Sequence, residues 1–481
     1  MNIKMYKIDW ERYLSSKRAR ESSVTIKKDI DKRNEFERDL ARVIYCPSIR
    51  RMHDKTQVVP LTSGDCILTR LTHSLIVMDI AESLCNNYCR DEEFKEIYGD
   101  IWHEYAEQIS AIVRAAALAH DIGNPPFGHF GEIAIQNFFK SYLKERIVSD
   151  QEAFDFIYFD GNAQGLRVLS KLQYIGNLQG LNLSYATLAA YMKYPNADAP
   201  DMSYIGNKKH GVFVTEKDLH NQIVEGCSLK KGKHIKRHPL AFLVEAADSI
   251  AYNVMDIEDG FNQKWYDYAT LIKFLNDNIT KHATGYLKNN GISSFDIVQF
   301  LNIKSDCEDE KNKMTMFRAH LIGYLVKLAT NNFKNHLQEI DEGNYSKELI
   351  EDENELFIVK ALQEFSMRYI ISQKTVAKVE ITGCTVIEGL LNILTKYAFH
   401  EDIKTRNKIK GVIADSRLQV TMHEANYIKE EFKCFTHEEM YNFDIGTLSP
   451  YQKLRLIVDF VSGMTDKFAV EMYQKLSGLR L

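Results

Sequence analysis

A chain of 481 residues, 45% hydrophobic and 26% charged, can bury a large core and has neither the composition of a disordered polymer nor that of a membrane protein. Its formal net charge of −5 provides no general positive field, so any site for nucleic acid or polyphosphate must concentrate Lys and Arg locally. Eight cysteines without a CxxC pair fit reduced thiols rather than a disulfide framework.

The first residues, MNIKMYKIDWERYLSSKRARESS, mix charge with aromatics and read as neither signal peptide nor anchor. No stretch reaches the roughly 18 apolar residues of a membrane span, and the expectation is a cytoplasmic protein. Helical periodicity dominates and only eight prolines interrupt it, which predicts an all-α protein. The spacing of His73, Val77, Ile80 and Leu84 predicts a helix over Leu71 to Cys89 with His73 on its inner stripe; Cys85 and Cys89 read as small apolar residues there. A second helix, Glu107 to His120, has an alanine-rich inner face and stops at Gly123, Pro125 and Pro126. Tyr204 to Lys236 contains GVFV and CSLKKGKHIK and reads as a short hairpin or loop decorating the core. A third helix starts at Pro239 with PLAFLVEAADSIAYNVMDIED. The charged stretches Ser305 to Lys313 and Glu339 to Glu355 read as surface loops. With no internal repeat, the expected organisation is one domain over residues 1–481. It has a core at 40–260, a hairpin or loop insertion at 200–238, and a C-terminal helical region at 261–481 that completes the pocket.

The strongest chemical signal is AHDIGNPPFGHFGE, where His120 and Asp121 end a helix and lead into a Gly/Pro turn. Imidazole and carboxylate ligands together suit Mn, Fe, Co or Zn, and Mg less well. His73 in TRLTHS and Asp248 in EAADSIAY lie on other apolar helices and complete a four-ligand set. Singly, each reads as a core histidine or a solvated carboxylate; together, two carboxylates on apolar helices require a compensating cation. His129 and Glu132 follow the Pro-Pro turn at i, i+3 and are assigned jointly to acid/base work, with Glu132 as a mere helix-start charge the competing reading. Asp248, Tyr252 and Asp256 share one helical face, and Arg70 lies on the His73 side near a helix start, where it can meet phosphate.

RVIYCPSIRRMHDKTQVVPL, TRLTHS, AHDIGNPPFGHFGE, GNAQGLR, EAADSIAYNVMD and DFVSGMTD together resemble the HD superfamily of metal-dependent phosphohydrolases, and within it the bacterial dGTP triphosphohydrolases. The resemblance implies a helical fold using Mn²⁺ or Mg²⁺, with His73, His120, Asp121 and Asp248 as metal ligands. The implied reaction cleaves between the 5′ oxygen and the α-phosphorus, releasing deoxynucleoside and tripolyphosphate. It further implies that Tyr252 and Asp256 contact the deoxyribose and its 3′ hydroxyl, and that Lys193, beside Tyr194, contacts triphosphate. Asn162 and Gln57 match substrate positions, Glu380 an acidic base-reading position, and Lys408 a phosphate contact. Family precedent adds a homo-oligomer, hexamers among the forms, and single-stranded DNA as a partner of some members. The run Lys230, Lys231, Lys233, Lys236 and Arg237, with His234 and His238, is the basic patch that fits such a strand, a solvated loop being the plainer alternative. The stretch Gln173 to Gly180 is longer than in the resembled enzymes and Asp201 to His238 does not align, which leaves dGTP alone or several dNTPs as substrates. A nucleotidase or phosphodiesterase of the same superfamily, or a non-catalytic nucleic-acid-binding regulator, are the competing functions.

Overall fold

Local signals set the helix starts. Asn34, Thr69 and Ser449 accept first-turn backbone N–H groups, and Pro239 occupies a position where its missing N–H costs nothing. The principal helices are α1 (Glu35–Tyr45), α2 (Arg70–Cys89), α3 (Trp102–Ala119), α4 (His129–Tyr142), α5 (Gly161–Arg167), α6 (Tyr185–Tyr191), α7 (Pro239–Asn262), α8 (Glu310–Asn335), α9 (Lys374–Ala398), α10 (Asp415–Glu424) and α11 (Pro450–Ser462). The computed structural model describes residues 5–20, 31–57, 68–145, 148–173, 180–232, 234–290, 309–351, 356–427 and 434–479. Expectations for Lys233 and for residues 174–179, 305–308 and 352–355 lie outside the described residues. Among the described residues no helix is long and apolar enough to cross a membrane.

The protein is all-α, and its one sheet among the described residues is the hairpin β1 (Lys230–Lys231) and β2 (His234–Ile235). Three segments differ from expectation. Helix α3 begins earlier than Glu107, at Trp102, because Trp102, Tyr105 and Ala106 extend its packed face. The stretch before the hairpin also forms a helix, Lys217–Gly226, and buries Val212, Phe213 and Ile223, so it contributes core as well as surface. Residues 339–351 pack inward through Ile340, Tyr345, Leu349 and Ile350, and α8 already begins at Glu310.

Two apolar cores result among the described residues. The larger gathers α1, α2, α3, α6, α7 and α8, with α2 packed on α3 and both on α7. Cys85 and Cys89 are buried in it. The alanines at 111, 115, 116, 117 and 119 line α3 with small side chains, which lets neighbouring backbones approach. The second core gathers α4, α9, α10 and α11. The turn after α3 crosses from one core to the other, with Ile122 in the first and Phe127 in the second. Phe127 adopts φ 63°, a left-handed conformation that side chains seldom take, and its N–H is fixed at 2.9 Å by the Asp466 carboxylate.

Gly123 marks the tightest approach in this turn. A Cβ there would lie 2.1 Å from the backbone nitrogen of Gly165 and 2.2 Å from the carbonyl oxygen of Gly161. Backbone cannot rotate aside, so Gly123→Ala is expected to destabilise the fold by about 1–3 kcal/mol, the usual cost of overpacking. Chemical denaturation reads this directly; an unchanged midpoint would contradict the packing of the turn on α5.

Candidate active site

The turn from α3 brings its polar residues to the seam where α2 and α7 meet. His73 is fully buried on α2, His120 and Asp121 follow α3, and Asp248 projects from α7. Ligand atoms of His73, His120 and Asp121 lie within 4.8 Å of one another. The Asp248 Oδ1 is 3.1 Å from His73 Nε2 and 3.4 Å from His120 Nε2. Two carboxylates and two imidazoles in this space match the donor chemistry of a divalent transition ion or Mg²⁺. Among the described residues the buried His120 Nε2 makes no hydrogen bond, while Nδ1 is 2.8 Å from the Ala117 carbonyl, so the outward nitrogen is left for a cation.

Electrostatics support that reading. Burial opposes charge on His120, but Asp121 and Asp248 outweigh it and lift its pKa to about 9. Burial likewise opposes ionised Asp248, yet the two imidazoles hold it well below the ordinary carboxylate range. The site therefore draws positive charge, and a divalent ion answers two carboxylates better than a proton does.

Arg70 was expected to meet phosphate; its Nη1 donates to Asp121 Oδ2 at 2.6 Å. The Asn124 amide donates to the other Asp121 oxygen at 2.6 Å, so the carboxylate is held from both sides. Burial disfavours the Asp121 anion, and Arg70 followed by His120 overcomes this and lowers its pKa.

A cavity of about 80 Å³ opens on the quartet, lined by His120, Asp121 and Asp248 together with Asn124, Asn162, Lys193 and Glu245. The Asn162 amide donates to its neighbour Asp160, the N-cap of α5. Lys193 Nζ pairs with Glu245 Oε1 at 3.4 Å, and the second Glu245 oxygen accepts from the fully buried Arg237 at 2.6 Å. Lys193, Lys209 and Arg237 surround the Tyr194 ring at 5.8, 5.8 and 6.0 Å. Along α7, Asp248, Tyr252, Asp256 and Asp259 form an incompletely buried line on an otherwise buried helix. Burial first, then Asp259 and Asp248, push Asp256 up to about 8.

His129 opens α4 and is largely exposed, whereas Glu132 is buried. Glu132 Oε2 is 3.1 Å from His129 Nδ1, and Oε1 accepts the Gly161 N–H at 2.7 Å. A Cβ on Gly161 would meet both Asn124 Oδ1 at 2.1 Å and Glu132 Oε1 at 2.8 Å, so this glycine lets the pair and the cavity wall meet. The Glu132 bond raises the His129 pKa.

The remaining sequence candidates are more scattered. Gln57 is half-buried with its Oε1 unpartnered among the described residues. Glu380 is exposed on α9 and Lys408 is exposed in the turn Asn407–Gly411; neither lines the described cavity. Of the basic run, Lys236 pairs with Tyr13 and Asp341, Arg237 with Glu245, and His238 is buried, leaving Lys230, Lys231 and His234 outward. Sequence reasoning missed Asn124, Glu245 and Lys209. Asn124 sits in the motif turn and Glu245 one helical turn before Asp248, both discernible signals; Lys209, bound to Asp160 at 2.6 Å, has none.

With this geometry established, comparison with known proteins defines the class. The HD domain model matches residues 70–158 and the phosphohydrolase-associated domain model residues 412–475, so the chain is an HD-domain phosphohydrolase, a hydrolase carrying a His-His-Asp cluster of the kind that can hold a divalent metal. A deoxyguanosinetriphosphate triphosphohydrolase-like protein of Listeria monocytogenes is 34% identical over 98% of this chain and 99% of its own length. A protein with the same name from Synechocystis is 30% identical over 98% of this chain and all of its own. A deoxyguanosinetriphosphate triphosphohydrolase of Cronobacter sakazakii is 29% identical over 98% and 99%. The chain belongs to the deoxyguanosinetriphosphate triphosphohydrolase family.

Because Glu132 favours the imidazolium, Glu132→Gln is expected to lower the His129 pKa, so that its proton leaves at lower pH than in the parent protein. An NMR titration of the His129 ring resolves this; an equal or higher value would show that Glu132 does not hold the charge.

Proposed function

We propose that the protein hydrolyses deoxynucleoside 5′-triphosphates, dGTP foremost, to deoxynucleoside and tripolyphosphate. The names of relatives matched along nearly the whole chain supply the substrate class. The observation that carries the mechanism is the occupancy of Glu132. Both its oxygens are engaged, one by Gly161 and one by His129, whereas His129 reaches outward.

His129 is therefore the proton donor and Glu132 the positioning residue. With Nδ1 turned to Glu132, His129 Nε2 delivers a proton to the departing 5′ oxygen, and Glu132 stabilises the imidazolium beforehand. His73, His120, Asp121 and Asp248 hold Mn²⁺ or Mg²⁺, which when bound neutralises phosphoryl charge and acidifies a water. Arg70 and Asn124 keep Asp121 oriented, with Arg70 adding positive charge beside the α-phosphate. Lys193, Asn162 and Tyr194 hold the phosphate chain, and Lys193 exchanges part of its pairing with Glu245 for phosphate oxygens. Tyr252 packs on the deoxyribose where a 2′ hydroxyl has no room, and Asp256 bonds the 3′ hydroxyl. Gln57 reads the substrate near its sugar and base; Glu380 and Lys408 reach base and phosphates only if α9 and the 407–411 turn close on the cavity.

Incubating the protein with each dNTP and with GTP, in Mn²⁺ or Mg²⁺, tests the reading by chromatography of the products. Tripolyphosphate from dGTP, with kcat lowered about 10²–10⁴-fold in His129→Ala, is expected. Comparable turnover of all four dNTPs points to the relaxed form of the enzyme. Orthophosphate in place of tripolyphosphate identifies the nucleotidase alternative, and metal retention without hydrolysis the regulator.

Asp256→Ala is expected to raise KM for dGTP about tenfold, the loss of one hydrogen bond of about 1.4 kcal/mol, while leaving binding of the 2′,3′-dideoxy analogue unchanged. An equal loss for both nucleotides would place Asp256 elsewhere than at the 3′ hydroxyl.

A further inference from the structure

The motif DFVSGMTD, residues 459–466, lies far from the metal ligands in the chain yet touches three of the segments that build the site. Asp459, in the last turn of α11, accepts from Gln164 at 3.0 Å and Arg167 at 2.8 Å on α5. The Ser462 carbonyl accepts from Lys55 Nζ at 3.1 Å, and the same ammonium donates to the Asn124 carbonyl at 2.5 Å. Asp466, 3% exposed, opens the helix Asp466–Leu476. Its Oδ1 accepts the Phe127 N–H at 2.9 Å, and its Oδ2 accepts both the Thr56 N–H at 3.0 Å and the Thr56 hydroxyl at 2.9 Å.

Phe127 and Gly128 are consecutive residues at positive φ, 63° and 57°, and stand directly before His129. Gly128 is the N-cap of α4 and His129 its first residue, so these torsions set the direction in which the helix leaves the turn. Glycine adopts such a conformation freely, whereas phenylalanine holds it only when its surroundings over-determine it. Two supports do so here. The Phe127 ring lies against α9, where a Cβ on Gly383 would meet Phe127 Cγ at 2.8 Å, and the buried N–H is held by Asp466. Without that carboxylate the N–H becomes a buried donor lacking a partner, and its desolvation adds to the backbone strain in favouring a return of Phe127 to negative φ. The first helical bond of α4, from the Glu132 N–H to the Gly128 carbonyl at 3.1 Å, starts from this same turn. Its fraying carries His129 away from Glu132, whose other oxygen stays on Gly161.

We propose that Asp466 is a positioning residue for the proton donor: by fixing the Phe127 N–H it holds the turn that starts α4 and so keeps His129 against Glu132. The inference rests on the assignment of His129 as proton donor. It gives the region matched by the phosphohydrolase-associated domain model a part in the reaction that runs through backbone and needs no contact with substrate.

The test compares Asp466→Ala with Thr56→Val, which removes one hydrogen bond to the same carboxylate and leaves the Phe127 bond in place. Asp466→Ala is expected to lower kcat for dGTP about 10²-fold, the scale of a misplaced catalytic group, while Mn²⁺ affinity, read by electron paramagnetic resonance without nucleotide, changes less than about twofold. NMR titration of the His129 ring is expected to give a lower pKa than in the parent protein, in the direction of Glu132→Gln, because the pair comes apart. Thr56→Val keeps the parental kcat and titration. Asp466→Asn, offering one acceptor oxygen in place of two, falls between, and it carries the same comparison where Asp466→Ala does not fold. Equal kcat in Asp466→Ala and Thr56→Val, an unshifted His129 titration in Asp466→Ala, or Mn²⁺ affinity lost in step with kcat overturns the proposal. If His129→Ala keeps the parental kcat, the proton-donor reading falls by itself, and the ring titration alone decides whether Asp466 places the imidazole.

Discussion

Asp121 and Asp248 approach each other inside the protein, and removing two carboxylates from water costs several kcal/mol each unless positive charge answers them. His73 and His120 stand between them, and Arg70 and Asn124 secure Asp121 from outside the quartet. Much of the larger core serves this arrangement. Alanines on α3 permit its approach to α2 and α7, and α7 is buried except along the line bearing Asp248 and the residues assigned to the sugar. The charge of these neighbours raises the His120 pKa against its burial, so the site favours positive charge.

The division into two cores separates the roles. The proposed metal ligands sit on or beside helices of the larger core, whereas His129 and Glu132 ride on α4, whose apolar side packs into the smaller one with α9. The turn between them cannot be shifted cheaply: Gly123 touches backbone, Phe127 is held at positive φ by Asp466, and Gly161 leaves no space beside Glu132. Such a turn fixes His129 relative to the quartet, which is what the proposed proton transfer to a leaving oxygen requires.

Cations near the quartet have carboxylate partners within the protein. Lys193 rests against Glu245, Lys209 against Asp160 and Arg70 against Asp121, so the proposed binding of a polyphosphate would redistribute existing pairs. This limits self-repulsion in the protein alone and lets an overall acidic chain present a local cationic surface.

By itself the sequence determined what depends on local spacing. Helical repeat put His73 inward on α2, the Gly/Pro turn ended α3 at His120 and Asp121, His129 and Glu132 paired at i, i+3, and one α7 face carried Asp248, Tyr252 and Asp256. The family resemblance was likewise legible in those strings, and the hairpin was legible from its glycine and lysines. Tertiary structure decided how residues distant in the chain pair. It gave Arg70 to Asp121 and Glu245 to both Lys193 and Arg237, buried Lys236 and Arg237 out of the apparent basic patch, and left Glu380 and Lys408 outside the described cavity. It also brought Arg417 to Arg51 and Lys55 from the far end of the chain. Backbone periodicity fixes neighbours within a few residues, but long charged side chains choose partners only after packing sets which ones share a low-dielectric space.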